Sequence, residues 1–177
     1  MDDHAHTGHA NELAETWLRA RPDLRLDDFF LELYLVRLGR IVEQLHNRVS
    51  MDLYGLRVTE MRVVLALRRA GPPYARRPTD LYRNLLVTSG AITKQVDRLV
   101  ALNMVERRPD KSNKGGFLIQ LTPEGLKIAD SAVEHFSSTP LLGRALDAVS
   151  PEDLRVTART IVEILDRIEN PGIPAGD

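Results

Sequence analysis

Cysteine is missing from all 177 residues. Disulfides, thiolate metal sites, iron–sulfur clusters, a cysteine nucleophile and thiol redox sensing are therefore excluded together, since each needs the sulfur. No run approaches the ~18–20 uninterrupted apolar residues of a membrane-spanning helix, so a membrane is not an expected partner. The first ten residues, MDDHAHTGHA, are polar and His-rich and do not read as a secretory signal, so a cytoplasmic protein is expected. Excess charge of either sign is also lacking, because the formal net charge is −1. That excludes a chain that is basic all over and leaves room for a local basic patch.

The signatures of catalysis are absent too. Gly115-Gly116 is not followed by the Gly-Lys-Ser/Thr of a phosphate loop, so it reads as a turn. There is no nucleophile elbow, no His-Glu-x-x-His and no paired-acid pattern. His4, His6 and His9 lie in the polar start and read as a solvated tail rather than a metal cluster, and His46 and His135 as ordinary core or surface histidines. Neither an enzyme, a metal nor a cofactor is expected.

What is present is a globular composition, 43% hydrophobic and 28% charged, at a length suited to one domain or two small lobes sharing a core. Charge is unevenly placed. From Arg76 to Lys114 nine basic residues face four acidic ones, giving +5, and the rest of the chain carries −6. A basic centre in an acidic chain suits contact with a polyanion or, equally, a solvated surface.

The periodicities give the order of elements. Asn11–Arg21 predicts a short helix carrying Leu13, Trp17 and Leu18, closed by Pro22. From Asp27 to about Leu53, apolar residues recur at steps of three and four (Phe29, Phe30, Leu33, Tyr34, Leu38, Ile41, Val42, Leu45, Val49), predicting a long helix. Thr59–Arg69 repeats the pattern and stops at Gly71-Pro72-Pro73. Pro78–Leu86 and Thr88–Leu102 predict two further helices. On the second, Ile92, Val96, Leu99 and Asn103 share one arc, while Gly90, Thr93, Lys94, Asp97, Arg98 and Ala101 share the other. The period then becomes two, over Met104–Arg108 and Phe117–Leu121, with a turn-rich loop at 109–116 between them. Thr122-Pro123-Glu124 opens a helix running to about Val149. Ser150-Pro151-Glu152-Asp153 opens a last one with Leu154, Ala158, Ile161, Leu165 and Ile168 on one stripe.

Helices followed by a two-stranded ribbon and another helix make a winged helix-turn-helix: mainly α with a small β-hairpin wing. In such a fold the polar face of 88–102 suits a DNA major groove. Gly90 and Ala91 permit close approach, Thr88, Ser89 and Thr93 can donate hydrogen bonds, and Lys94 and Arg98 carry charge. The wing, with Arg108, Lys111, Asn113 and Lys114, suits the sugar-phosphate backbone or the minor groove.

The run DLYRNLLVTSGAITKQVDRLVALNMVERRPD, continued by GFLIQLTPEG, resembles the core of the MarR family of winged-helix transcription regulators, over roughly Asp27 to Ile168. The resemblance implies a homodimer that binds double-stranded DNA, reads a pseudo-palindromic operator and responds to a small molecule, most often as a repressor. It implies dimerisation helices at 11–58 and 123–169 around a DNA-binding lobe at 59–122, with disordered ends at 1–10 and 170–177. Ser89, Thr93, Lys94 and Arg98 match the family's contact positions. The family's wing Asp-x-Arg is replaced by Asn113-Lys114-Gly115, so the wing is expected to touch phosphate through lysine. The N-terminal extension is similar to the urate-responsive branch, and Trp17 matches its pocket tryptophan. Arg62 stands at the branch's aspartate and Gln95 at its arginine, so that ligand set is not intact. With Tyr34 these residues define an expected pocket for an anionic or phenolic effector, because arginine pairs with carboxylate or phosphate. Trp17 as a dimer or core anchor and Arg62 as a salt-bridge partner are the alternatives at those positions. A winged-helix adaptor that binds protein and not DNA is the alternative function.

Overall fold

The computed structural model describes residues 9–23 and 25–170. These residues divide into two compact units, one ending at Val133 and the other beginning at Glu134.

The first unit opens with α1 (His9–Ala20) and α2 (Asp27–Tyr54). An aromatic row joins them: Trp17 meets Phe29 edge-on at 5.5 Å, and Phe30 stacks on Tyr34 at 6.4 Å. α2 stops where Gly55 enters the left-handed region at φ 64°, and its N–H closes on the Met51 carbonyl. α3 (Val58–Arg69) follows and buries half of its residues, with Val63, Val64 and Leu67 at 0% exposure. Then come β1 (Ala75–Arg76), α4 (Pro78–Asn84), α5 (Ser89–Ala101), β2 (Val105–Pro109), β3 (Phe117–Leu121) and α6 (Pro123–Ser138). The strands form an antiparallel sheet in the order β1-β3-β2, with Val105 opposite Leu121 and Pro109 opposite Phe117. Two-residue β1 was not expected; with only Ala75 and Arg76 it shows no period in the sequence, and pairing with Gln120 and Ile119 creates it.

The joint between sheet and α6 explains the Leu-Thr-Pro-Glu-Gly run. Buried Thr122 donates through Oγ1 to the Asn103 carbonyl at 2.7 Å and accepts the Gly125 N–H at 3.0 Å, capping the helix. Gly125 sits so close to Met104 that a Cβ would lie 1.9 Å from its carbonyl oxygen.

In the second unit α6 ends at Ser138, followed by α7 (Gly143–Leu146) and α8 (Pro151–Glu169). The helix expected to run on to Val149 is thus interrupted. Pro140 has no N–H to continue the ladder, and the Ser138 hydroxyl already donates to the Glu134 carbonyl at 2.8 Å. Ser150 caps α8 as expected, accepting the Asp153 N–H at 3.0 Å. The stripe on α8 is only partly covered: Leu154 and Ile161 are half-buried, while Leu165 and Ile168 are exposed. Of the ends expected to be disordered, residues 1–8 and 171–177 lie outside the described residues, whereas His9 and Ala10 belong to α1 and Asn170 follows α8. Among the described residues no helix is long and apolar enough to cross a membrane.

Candidate nucleic-acid interface

α5 is built as a two-faced rod. Ile92, Val96 and Leu99 are at most 2% exposed and seat the helix on the lobe. Ser89, Gly90, Thr93, Lys94, Asp97, Arg98 and Ala101 are exposed on the opposite side. Asn103, placed on the buried arc by periodicity, is exposed instead, because the chain turns there at φ 56°. Thr88 is the N-cap: its Oγ1 accepts the Ala91 N–H at 3.2 Å, which fixes where the helix begins. Thr93 Oγ1 donates to the Ser89 carbonyl at 3.0 Å. A Cβ on Gly90 would meet nothing within 4 Å, so the lobe's own packing does not require glycine there.

The wing is held at its base. Asp110, 8% exposed, accepts both the N–H (2.9 Å) and the hydroxyl (2.6 Å) of Ser112 on one oxygen and Arg77 Nε on the other at 2.7 Å. These hydrogen bonds, those from Ser112 first and that from Arg77 after them, hold the Asp110 pKa down at about 2. Arg77 also donates to Ser112 Oγ at 2.7 Å, and it is the residue that precedes α4. The loop is therefore tied to the start of the helix-turn-helix. Lys111, Asn113 and Lys114 are exposed beyond this knot.

Charge in the basic window is divided by these pairings. Arg107 is bound to Asp97 and lies 5.8 Å over the Phe117 ring. Arg108 pairs with Glu106 at 2.7 Å, and Arg98 Nε reaches Glu60 Oε1 at 3.0 Å. Lys94, Lys111 and Lys114 enter no salt bridge among the described residues. On α5 and the wing loop these three lysines are the uncompensated cations; Arg76 and Arg83, in the same window, also enter no salt bridge among the described residues.

The four expected ligand residues are not gathered. A cavity of about 550 Å³ lies beside α3, lined by Arg62, Leu65, Ala66, Arg68, Leu85, Asp130 and Val133 among others. Arg62 lines it and also pairs with Glu43 at 3.2 Å. Trp17 and Tyr34 belong to the aromatic row, and Gln95 is half-buried on α5; none of the three lines the cavity. Arg68, held by Asp130 at 2.5 Å and stacked over Tyr74 at 5.2 Å, adds a second guanidinium. His46 on α2 has its pKa lowered, first by burial and then by the nearby Arg62 charge.

Periodicity did not single out Glu60, Arg77, Arg107 or Asp110. Glu60 carried a local signal, three residues into α3, where it reaches back to the Arg57 N–H at 2.8 Å. Arg77 and Asp110 are 33 residues apart and carried none.

Comparison with known proteins places this geometry. A family model described as MarR family matches residues 54–114. The chain is 31% identical over 109 residues to the multiple antibiotic resistance protein MarR of Escherichia coli, covering 58% of this chain and 72% of that protein. It is 27% identical over 124 residues to the HTH-type transcriptional regulator PecS of Dickeya dadantii, covering 70% and 74%. Among solved structures, a cysteine-to-serine mutant of E. coli MarR complexed with operator DNA superposes with a TM-score of 0.69 at 23% identity, over 81% of this chain and 99% of that one. AbsC of Streptomyces coelicolor, a MarR family transcriptional regulator, gives 0.66 at 21%, over 82% and 98%.

Proposed function

The chain belongs to the MarR family of DNA-binding transcription regulators and is not an enzyme, and from that premise we propose that it works as a ligand-responsive homodimeric repressor whose α5 enters the major groove while residues 109–116 touch the flanking backbone. The observation that carries the reading is the division of α5: buried Ile92, Val96 and Leu99 behind, and small, polar and basic Gly90, Thr93 and Lys94 in front. A helix so seated offers base edges hydrogen-bonding groups and offers phosphate one free ammonium. Thr88 and Ser89 open the helix, and Arg108, Asn113, Lys111 and Lys114 lie along the wing. Two copies related by a two-fold axis would read half-sites ~34 Å apart, one helical turn.

The test is binding to a duplex enriched from a random library by the chain itself. Three uncompensated lysines per protomer, six in a dimer, predict a log–log salt slope of about −5. Lys94→Ala should weaken binding on every duplex and flatten the slope. Affinity that does not change from low to moderate salt overturns the reading and leaves the protein-binding adaptor.

For the effector, the cavity beside α3 combines apolar Leu65, Ala66, Leu85 and Val133 with Arg62. That lining suits an aromatic or aliphatic body bearing a carboxylate or phenolate. A ligand that favours one lobe spacing over another shifts the population of DNA-competent dimers. Arg62→Ala should keep DNA affinity while abolishing release by an aryl carboxylate such as salicylate; release unchanged in the variant removes Arg62 from the pocket.

A further inference from the structure

Arg98 and Lys94 stand one turn apart on the exposed side of α5, yet their charges are in different states. Arg98 Nε donates to Glu60 Oε1 at 3.0 Å, across the packing of α5 on α3. Glu60 is 2% exposed, and its other oxygen accepts the Arg57 N–H at 2.8 Å. A carboxylate buried to that degree needs a compensating cation. Among the described residues Arg98 is the one paired with it. Any N–H of Arg98 that reached phosphate would therefore belong to a neutral pair and would displace no net counterion.

We infer that Arg98 is a positioning residue for operator reading: by clamping α5 to α3 through Glu60 it sets the angle at which Thr93 and Lys94 meet the groove. The inference rests on the reading of α5 as the DNA-entering helix. α5 rests on the lobe through Ile92, Val96 and Leu99, is tied to β2 where Arg107 binds Asp97, and is tied to α3 by the Glu60 clamp in its last turn. Glu60 and Arg62 lie two residues apart on α3, so the helix that lines the cavity is also the one that holds the clamp.

Three variants of the full-length chain test this: Arg98→Ala, Arg98→Lys and Glu60→Gln. Affinity is measured for the enriched duplex and for a shuffled duplex of the same composition, over a range of salt and well below the melting temperature. The expected result for Arg98→Ala is roughly a tenfold or greater loss on the enriched duplex, the size of one misplaced base contact, with affinity for the shuffled duplex and the salt slope unchanged. Glu60→Gln should lose on the enriched duplex in the same way, and Arg98→Lys should recover part of the loss, since an ammonium can still compensate Glu60. If Arg98 instead serves as a phosphate contact, Arg98→Ala weakens both duplexes together, and Glu60→Gln, freeing a full charge, tightens both and steepens the slope; that overturns the inference. Variants that only melt earlier, with the ratio of the two affinities unchanged, overturn it as well. Absence of salt-dependent binding by the unsubstituted chain overturns the DNA reading and this inference together, whereas the variant outcomes bear on the inference alone.

Discussion

At the scale of single residues, the interface is governed by which charges are already spent. Lys94, Lys111 and Lys114 are uncompensated, whereas Arg77, Arg98, Arg107 and Arg108 are engaged by Asp110, Glu60, Asp97 and Glu106. Planar guanidinium groups suit fixed carboxylate partners, and mobile ammonium groups suit diffuse contact with phosphate. Asp110 gives this division a pH signature. Its folded pKa of about 2 lies below the ordinary carboxylate value of 3.8. A depressed acid stabilises the fold in full above its unfolded pKa and loses that contribution as pH falls through the folded one. Thermal melts of Asp110→Asn should accordingly fall below those of the natural sequence at neutral pH, with the gap closing between about pH 4 and pH 2. A gap of constant size across that range would show that the charge is not what the wing uses.

At the scale of elements, the joint between sheet and α6 is pinned by several hydrogen bonds and a close backbone approach. Thr122 both caps α6 and anchors to the Asn103 carbonyl, and the Thr122 N–H bonds the Met104 carbonyl at 3.1 Å. Against that pinned backbone a methyl group at position 125 would stand 1.9 Å from an oxygen. Gly125→Ala is expected to cost about 1–3 kcal/mol, within the overpacking range, read by chemical denaturation. A smaller loss would mean that α6 slides freely away from the sheet. The turn before α5 is strained in another way: Leu86 holds φ 54° with 84% of its surface exposed, a position where glycine would be at ease.

At the scale of the whole molecule, several apolar side chains among the described residues are roughly half exposed or more. Leu18, Leu31 and Val36 on α1 and α2 are 48%, 48% and 57% exposed, and Val162, Leu165 and Ile168 on α8 are 55%, 47% and 69% exposed. Apolar faces of this kind mark association surfaces. If the proposed homodimer pairs through α8, replacing Val162 and Leu165 together by Asp should shift it to monomer in sedimentation and lower operator affinity by on the order of 10²-fold, through loss of the second half-site. A dimer that survives this double substitution would move the interface off α8.

How much of this was legible beforehand depended on the range of the interaction concerned. Local rules sufficed for α2, α5, β3 and the two capped starts at Thr122 and Ser150, because periodicity and capping involve residues within a turn or two of one another. The same rules placed Lys94 and Thr93 on the outer face of α5, since one buried arc dictates its opposite. They also drew one helix through Pro140, and they missed β1, whose existence depends on pairing with β3. The sequence by itself therefore determined the order of elements and which side of α5 is polar. Only the tertiary structure decided which charges remain available there. Glu60 meets Arg98, and Asp110 meets Arg77, across 38 and 33 residues of chain, and no local pattern records a partner brought near by folding.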